Sequence, residues 1–277
     1  MRKTKIICTM GPAVESEEKI RELIVAGMDG ARFNFSHGTH EEHKKRIEMV
    51  KKVSKEMNAP VALILDTKGP EIRVGNFKDK SIDLEEGQTF ILYHDLSREG
   101  DQNGVGITYP YLGEDVRTGD RILVDDGLVS LTVTDVKNGD IVCSVDNGAR
   151  ISSKKSINVP GIDVDQVFIS DRDRSDILFG IEEDFDFIAA SFVRNQDDVK
   201  KLRKLLNVNG GEKIKIIAKI ENREGVNNID SILAAADAVM VARGDLGVEI
   251  DFTELPGIQK TIIDRSFSFG KPIVTAT

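Results

Sequence analysis

Lys219 and Glu221 stand two residues apart in the apolar string IIAKIEN at Ile216–Asn222, and Asp245 follows 24 residues after Glu221 in VMVARGDLG at Val239–Gly247. Residues two apart on a strand project to the same face. The interval to Asp245 is about one helix-plus-strand unit, which places that carboxylate at the end of the next apolar run. A lysine and two carboxylates delivered by neighbouring parallel strands suit a divalent cation and a transferring phosphoryl group, since Mg²⁺ is commonly held by one or two carboxylates with water and substrate oxygens completing its shell. The plainer alternative is a buried ion pair. A second carboxylate in reach, followed directly by Leu246-Gly247, favours the metal. Gly244, read at the strand end, lets a substrate approach the backbone amides.

Other polar residues fall in similar positions. Arg32, Asn34 and Ser36 alternate along one apolar run, so they share a face, and burying them is costly unless each finds a partner. Asp66 and Thr67 end the run VALIL and lead into Lys68-Gly69-Pro70, where no helix follows for Asp66 to cap. Asn34, Ser36, Asp66 and Thr67 together offer oxygen ligands with a single formal charge, a composition better matched to a monovalent cation than to a hard divalent one. His37, His40 and His43 recur every third residue, a spacing that spreads them around a helix and does not match a zinc-ligand pattern. His40 and His43 are expected at the exposed start of that helix, and only His37 keeps a functional reading. There is no P-loop, and Gly104-Val105-Gly106 does not continue as a dinucleotide fingerprint.

The elements that must position these residues alternate in type. Apolar runs at Lys5–Thr9, Gly30–Phe35 and Val61–Asp66 read as strands. Between them lie helical patterns opened by Ser16 and by a Thr39/Glu42 capping box, with Gly27 as a stop. From about Gly69 to Pro160 the pattern changes to short β-rich runs punctuated by Glu86-Gly87, Asp126-Gly127, Asn138-Gly139 and Asn147-Gly148, the chemistry of hairpin turns. The earlier rhythm then resumes with strands at Phe187–Phe192, Lys215–Ile220, Ala238–Ala242 and Pro272–Thr277. The expected fold is α/β: an incomplete (β/α)₈ TIM barrel of seven strands with an inserted all-β, barrel-like domain after strand three. The expected organisation is residues 1–69 as the first barrel part with strands one to three, 70–160 as the inserted β domain, and 161–277 as the second barrel part with strands four to seven. Arg73 and the Lys154-Lys155 pair lie on the insert's two connections and could meet over the barrel mouth.

Composition narrows the function classes. The 277 residues carry 38 basic and 47 acidic side chains, net −9, and no tryptophan, which disfavours nucleic-acid binding. Cys8 and Cys143 lie far apart in apolar runs and read as free thiols suited to a reducing compartment. No apolar stretch suits a signal peptide or a bilayer span, so a cytoplasmic protein without membrane partners is expected.

The ordered strings TKIICTMGPA (Thr4–Ala13), ARFNFSHG (Ala31–Gly38), LDTKGPEIR (Leu65–Arg73), SKKSINVPG (Ser153–Gly161), ASFVR (Ala190–Arg194), IIAKIEN, MVARGDLGVEI and KPIVTAT resemble the pyruvate kinase family over essentially the whole chain. The resemblance implies transfer of a phosphoryl group from phosphoenolpyruvate to ADP, with Mg²⁺ (or Mn²⁺) and K⁺ as cofactors and ATP and pyruvate as products. It implies that Glu221 and Asp245 bind the divalent ion and that Asn34, Ser36, Asp66 and Thr67 hold K⁺. Glu71 matches the residue type that accompanies K⁺ dependence. Arg32 would contact the substrate phosphate, and Lys219 would stabilise the group in transfer. The backbone at Gly244 and Asp245 would receive the substrate carboxylate, and Thr277 would stand near proton delivery. Arg73, His37 and Lys155 match positions approaching the nucleotide, and the β insert matches a mobile lid. Ser156 departs from the family's usual glycine after the two lysines.

The family continues past KPIVTAT with a helix, an eighth strand and helix, and a C-terminal domain used in homotetramer contacts. The chain is therefore expected to stop before its barrel closes. Two alternatives stay open: a non-catalytic truncated fragment of that enzyme, and a Mg-dependent lyase of pyruvate-like substrates, against which the β insert and the Arg32 motif argue.

Overall fold

The computed structural model describes residues 3–276. In chain order the first elements are β1 (Ile7–Thr9), α1 (Glu17–Ala26), β2 (Gly30–Asn34), α2 (His40–Glu56) and β3 (Ala62–Asp66). The insert holds β4 (Ile72–Arg73), β5 (Ser81–Asp83), β6 (Thr89–Tyr93), β7 (Gly104–Gly106), α3 (Leu112–Asp115), β8 (Arg121–Val124), β9 (Val129–Lys137), β10 (Asp140–Val145), β11 (Arg150–Ser152) and β12 (Ser156–Asn158). There follow α4 (Asp171–Glu182), β13 (Phe187–Ala190), α5 (Gln196–Val208), β14 (Lys215–Ile220), α6 (Arg223–Asn227), α7 (Ile229–Ala235), β15 (Ala238–Val241), α8 (Arg243–Glu249), α9 (Leu255–Ser268) and β16 (Ile273–Thr275).

Local chemistry sets the helix ends. The Ser16 hydroxyl accepts from the Lys19 amide to start α1, and Gly27, at φ 108°, ends it by donating to Leu23 and Ile24 carbonyls. The Thr39/Glu42 capping box opens α2, and Ser170 with Asp173 opens α4 in the same way.

A parallel sheet runs β1-β2-β3-β13-β14-β15-β16, seven strands with helices packed on one face. Alternation along each strand divides the apolar residues into two populations. Phe33, Leu63, Leu65, Ile188, Ile216 and Val239 face the helices in one core. Ile64, Ala189, Ile217, Ala238 and Met240 form a smaller cluster on the other face, inside the curl of the sheet. Arg32, Asp66 and Lys219 share the inward alternation, at the end of the sheet where the strands terminate.

The insert folds around a separate core of Phe90, Leu92, Ile122, Leu131 and Ile141. Its main sheet runs β4-β12-β8-β9-β10-β6-β7, with β5 and β11 paired apart from it. Asn138 and Gly139, at φ 53° and 88°, make the tight turn between β9 and β10. Asn147-Gly148 does not form such a turn: Asn147 spends its side chain on the Ser130 amide and Leu128 carbonyl. A Cβ on Gly148 would sit 2.7 Å from the Leu84 carbonyl, so glycine is required there by a close approach.

Among the described residues, β1 and β16 are the two edges of the parallel sheet, and no helix is long and apolar enough to cross a membrane. A cavity of about 1410 Å³ lies along the inner face, lined by Ile7, Ile64, Ile217, Met240 and Val274. Unpaired edges beside an apolar hollow template association. The 277-residue chain by itself is expected to self-associate with rising concentration. Sedimentation velocity showing one monomeric species across concentrations would contradict this.

Candidate functional site

Lys219 is the centre of the site. Its Nζ lies 2.9 Å from Asp66 Oδ1, 2.8 Å from Glu221 Oε1 and 2.6 Å from Ser191 Oγ. All four residues are buried. β13 lies between β3 and β14, and its inward residue at this level is Ala189, paired with Asp66 on one side and Ile217 on the other. That small side chain leaves the room in which Lys219 crosses to Asp66.

The electrostatics follow from this enclosure. Burial acts to lower the Lys219 pKa, but the charges of Glu221 and Asp66 outweigh it, and the net direction is up, so the ammonium stays protonated. Burial pushes Glu221 up to about 7, with Lys219 opposing and Asp245 and Asp66 adding to the rise. Glu221 also accepts the Phe192 amide at 2.6 Å through Oε2. Phe192 sits at φ 54°, a left-handed conformation uncommon for an aromatic residue and costly wherever it occurs.

Asp66 extends the network toward β2. Arg32 donates through Nε to Asp66 Oδ2 at 2.5 Å and through Nη1 to Thr9 Oγ1 at 2.8 Å. The charges thus alternate Arg32, Asp66, Lys219, Glu221 along the strand ends. Asn34 pairs with Asp66 in register, and its Oδ1 accepts the Ser36 amide at 3.0 Å. Ser191 donates to the Thr67 carbonyl at 2.8 Å, and the Thr67 hydroxyl accepts from the Ser191 amide at 3.1 Å. The oxygen-bearing residues Asn34, Ser36, Asp66 and Thr67 are therefore linked at one place.

Asp245 arrives differently from the sequence expectation. β15 ends at Val241, and Gly244 and Asp245 form the first turn of α8 instead of a strand end. Asp245 is exposed, and the space beside Gly244 is open. Farther along α8, Glu249 accepts from Asn158 of β12 at 2.7 Å, joining the insert to the barrel. Between them lies a cleft of about 270 Å³ lined by Glu71, Ser156, Asn158, Phe192, Asn222 and Asp245, among others.

Arg73 and Lys155 do meet beside this cleft: Arg73 pairs with Ser156 across β4 and β12, and the Lys155 carbonyl accepts the Val74 amide. Their charged ends are committed elsewhere. Arg73 holds Glu71 at 2.6 and 2.8 Å and the Lys154 carbonyl at 2.6 Å, while Lys155 lies 2.9 Å from Asp125. The Ser156 hydroxyl donates to Asp126 Oδ1 at 2.8 Å, a tie that a glycine could not make. His37 is exposed, and among the described residues no hydrogen bond or ion pair joins it to Arg73 or Lys155. His43 is not exposed as expected from its charged neighbours. It is 3% accessible and stacks on Phe35 at 4.1 Å, because the helix turns that position toward β2. Thr277 lies outside the described residues.

Among the described residues no group of three or more His, Cys, Asp or Glu side chains is arranged around a metal position. Glu221 and Asp245 are two carboxylates near enough to raise the energy of the ionised Glu221. That repulsion is what a divalent cation relieves, and oxygen donors alone suit a hard ion. Sequence reasoning missed Ser191 and Glu249. Ser191 gave the same signal as Asp66, a polar residue at the end of a buried strand. Glu249 gave none, because its partner lies in the insert.

Replacing Lys219 by Met leaves Glu221 buried without its cation and Asp66 with Arg32 alone. Lys219→Met is expected to cost about 3–5 kcal/mol of stability at neutral pH. Ser191→Ala should cost about 1–3 kcal/mol through the acceptors it leaves unsatisfied. Denaturant titrations check both, and a loss below 1 kcal/mol for Lys219→Met would show that the carboxylates are relieved by other groups.

The family model described as "Pyruvate kinase, barrel domain" matches residues 1–277. The chain is 48% identical over 277 residues to a pyruvate kinase of Clostridium acetobutylicum, covering all of this chain and 59% of that protein. It is 52% identical over 279 residues to one from Geobacillus stearothermophilus and 50% identical over 279 residues to one from Staphylococcus saprophyticus, covering 47% of each. It thus spans about half the length of the curated relatives it matches. With a whole-chain family match and a buried lysine–carboxylate network at the strand ends, this chain belongs to the pyruvate kinase family.

Proposed function

We propose that this chain supplies the catalytic region of an enzyme that transfers a phosphoryl group from phosphoenolpyruvate to ADP, giving pyruvate and ATP. The observation that carries the reading is the Lys219 ammonium, enclosed by Asp66 and Glu221 and adjoined by Arg32 at the strand ends. Phosphoryl transfer asks for charge neutralisation and alignment more than for covalent chemistry. A cation already fixed in a dry site stabilises developing charge without reorganising at the moment of reaction. Lys219 is such a cation. Arg32, about one quarter exposed and anchored on Asp66 and Thr9, lines the inner cavity and is assigned the phosphate of phosphoenolpyruvate.

Glu221 and Asp245 are the assigned holders of Mg²⁺ or Mn²⁺, which when bound supplies Lewis-acid charge to the phosphoryl oxygens. Asn34, Ser36, Asp66 and Thr67 are assigned K⁺, and their single formal charge, already shared with Arg32 and Lys219, suits a monovalent ion. The open backbone at Gly244 and Asp245 is assigned the substrate carboxylate. Arg73, His37 and Lys155 are assigned to the nucleotide, which requires Arg73 to exchange Glu71 and Lys155 to exchange Asp125 on binding. Thr277 keeps its assignment near proton delivery through the resemblance alone. Residues 70–160 act in this reading as a lid on the barrel halves 1–69 and 161–277, excluding water when closed, with Asn158 and Glu249 at the junction.

Pyruvate formation coupled to NADH oxidation tests the reading. Turnover is expected to need phosphoenolpyruvate, ADP, Mg²⁺ and K⁺ together, and to fall by about 10²–10³ in Lys219→Met and in Arg32→Gln. Circular dichroism should first establish that each variant is folded. Turnover that persists in Lys219→Met, or a folded chain that fails to bind Mn²⁺, overturns it.

A further inference from the structure

The segment 35–39 between β2 and α2 leaves the sheet ladder, yet it carries Ser36 of the monovalent-cation set. Its carbonyls are taken up by side chains from the two helices that flank it. Arg172 of α4 donates through Nη2 to the Phe35 carbonyl at 2.8 Å and to the Ser36 carbonyl at 3.4 Å. His43 of α2 bonds the His37 carbonyl through Nε2 at 2.8 Å. Three consecutive carbonyls are thus gripped from outside the barrel. The Phe35 ring is held as well, stacked on His43 and tilted against Phe179 at 5.9 Å. On its inner side the Phe35 amide donates to the Asp66 carbonyl at 3.0 Å, so this segment and the residue central to the cation set move as one unit.

Arg172 is itself held. Asp176, one turn along α4, is buried, and its Oδ1 lies 2.6 Å from His40 Nε2, with the His40 ring stacked on Phe179 at 4.4 Å. Its Oδ2 has no hydrogen-bond partner among the described residues, and the Arg172 Nε 3.8 Å away is the cation facing it. Arg172 is about half exposed, so substituting it opens no void in the core, and Asp176 keeps His40 at its other oxygen.

We propose that Arg172 is a positioning residue for the monovalent cation: by holding the Phe35 and Ser36 carbonyls it fixes where Asn34 and Ser36 present their oxygens, and so sets both affinity and discrimination between K⁺ and Na⁺. The proposal rests on the monovalent-cation reading above. Groups that orient the ligands of an ion tune its affinity by about 10- to 100-fold even though they never touch it. An arginine suits the role because its fork serves two carbonyls and Asp176 from one rigid plane, which a lysine cannot copy.

The test is a thallium NMR titration of the 277-residue chain in choline chloride, with K⁺ and Na⁺ as competitors and Mn²⁺ binding followed by electron paramagnetic resonance. Arg172→Gln is expected to weaken Tl⁺ binding by about tenfold and to narrow the K⁺-over-Na⁺ preference, with Mn²⁺ binding changed less than about twofold. Arg172→Lys should recover part of the affinity and serves as the second variant should Arg172→Gln fold poorly. Asp66→Asn should abolish Tl⁺ binding. Equal Tl⁺ affinity and an unchanged K⁺-to-Na⁺ ratio in Arg172→Gln would overturn the positioning role alone. Equal loss of Tl⁺ and Mn²⁺ binding would overturn it too, since a general loosening of the fold affects both ions. A wild-type chain without saturable Tl⁺ binding would instead sink the monovalent-cation reading, and the proposal with it.

Discussion

The contacts of Lys219 with Asp66 and Glu221 constrain most of what surrounds them. Each partner is almost fully buried, and removing any one leaves charge in a medium that solvates it poorly. The neighbouring strands must therefore hold register to a fraction of an ångström. They must also keep the residue between Lys219 and Asp66 small, a demand that Ala189 meets. Ser191 completes the enclosure by bridging all three strands through Lys219, Asp66 and the Thr67 carbonyl. Arg32 then balances the second oxygen of Asp66, and the network reaches β2 without an unpaired charge.

The same alternation that aims these groups inward sorts the apolar residues into two cores. The helix-facing core is large and continuous, whereas the inward cluster is small and borders the open cavity. The side chains at the strand ends are therefore fixed from behind by helices more than from within the barrel. Helix α4 shows this most clearly. Asp173 binds the Gly69 amide at 3.0 Å, Arg172 holds the segment after β2, and Asp176 ties α4 to α2 through His40. One helix turn thereby braces the two loops that flank the proposed monovalent-cation position.

The insert reaches the barrel at a few polar contacts, and the charged side chains lining the cleft between them are predominantly acidic. Burial raises the Glu249 pKa, Asn158 opposes that rise, and Asp245 adds to it. Such a wall repels anions until cations screen it. Arg73 and Lys155 stand at the rim already neutralised by Glu71 and Asp125, so their charge becomes available only by exchange of partners.

Much of this was written in the sequence. The periods of the apolar residues named the parallel strands and helices, because a strand buried on both faces and a helix buried on one have different repeats. Turn dipeptides located the β insert, although Asn147-Gly148 turned out to serve a close backbone approach. Polar residues at the ends of apolar strands marked Lys219, Glu221, Arg32 and Asp66, since burial without partners is prohibitive. What the sequence could not state is which groups are shared. The helix turn that carries Asp245 and the burial of His43 under Phe35 are local outcomes that packing decides, whereas the Ser191 link between Lys219 and Asp66 and the Arg172 hold on the Ser36 carbonyl are long-range facts. They depend on distances between segments up to about 150 residues apart, as in the 153-residue separation of Lys219 from Asp66. Spacing along a chain carries periodicity and local capping, but only the packed tertiary structure decides which buried charge answers which.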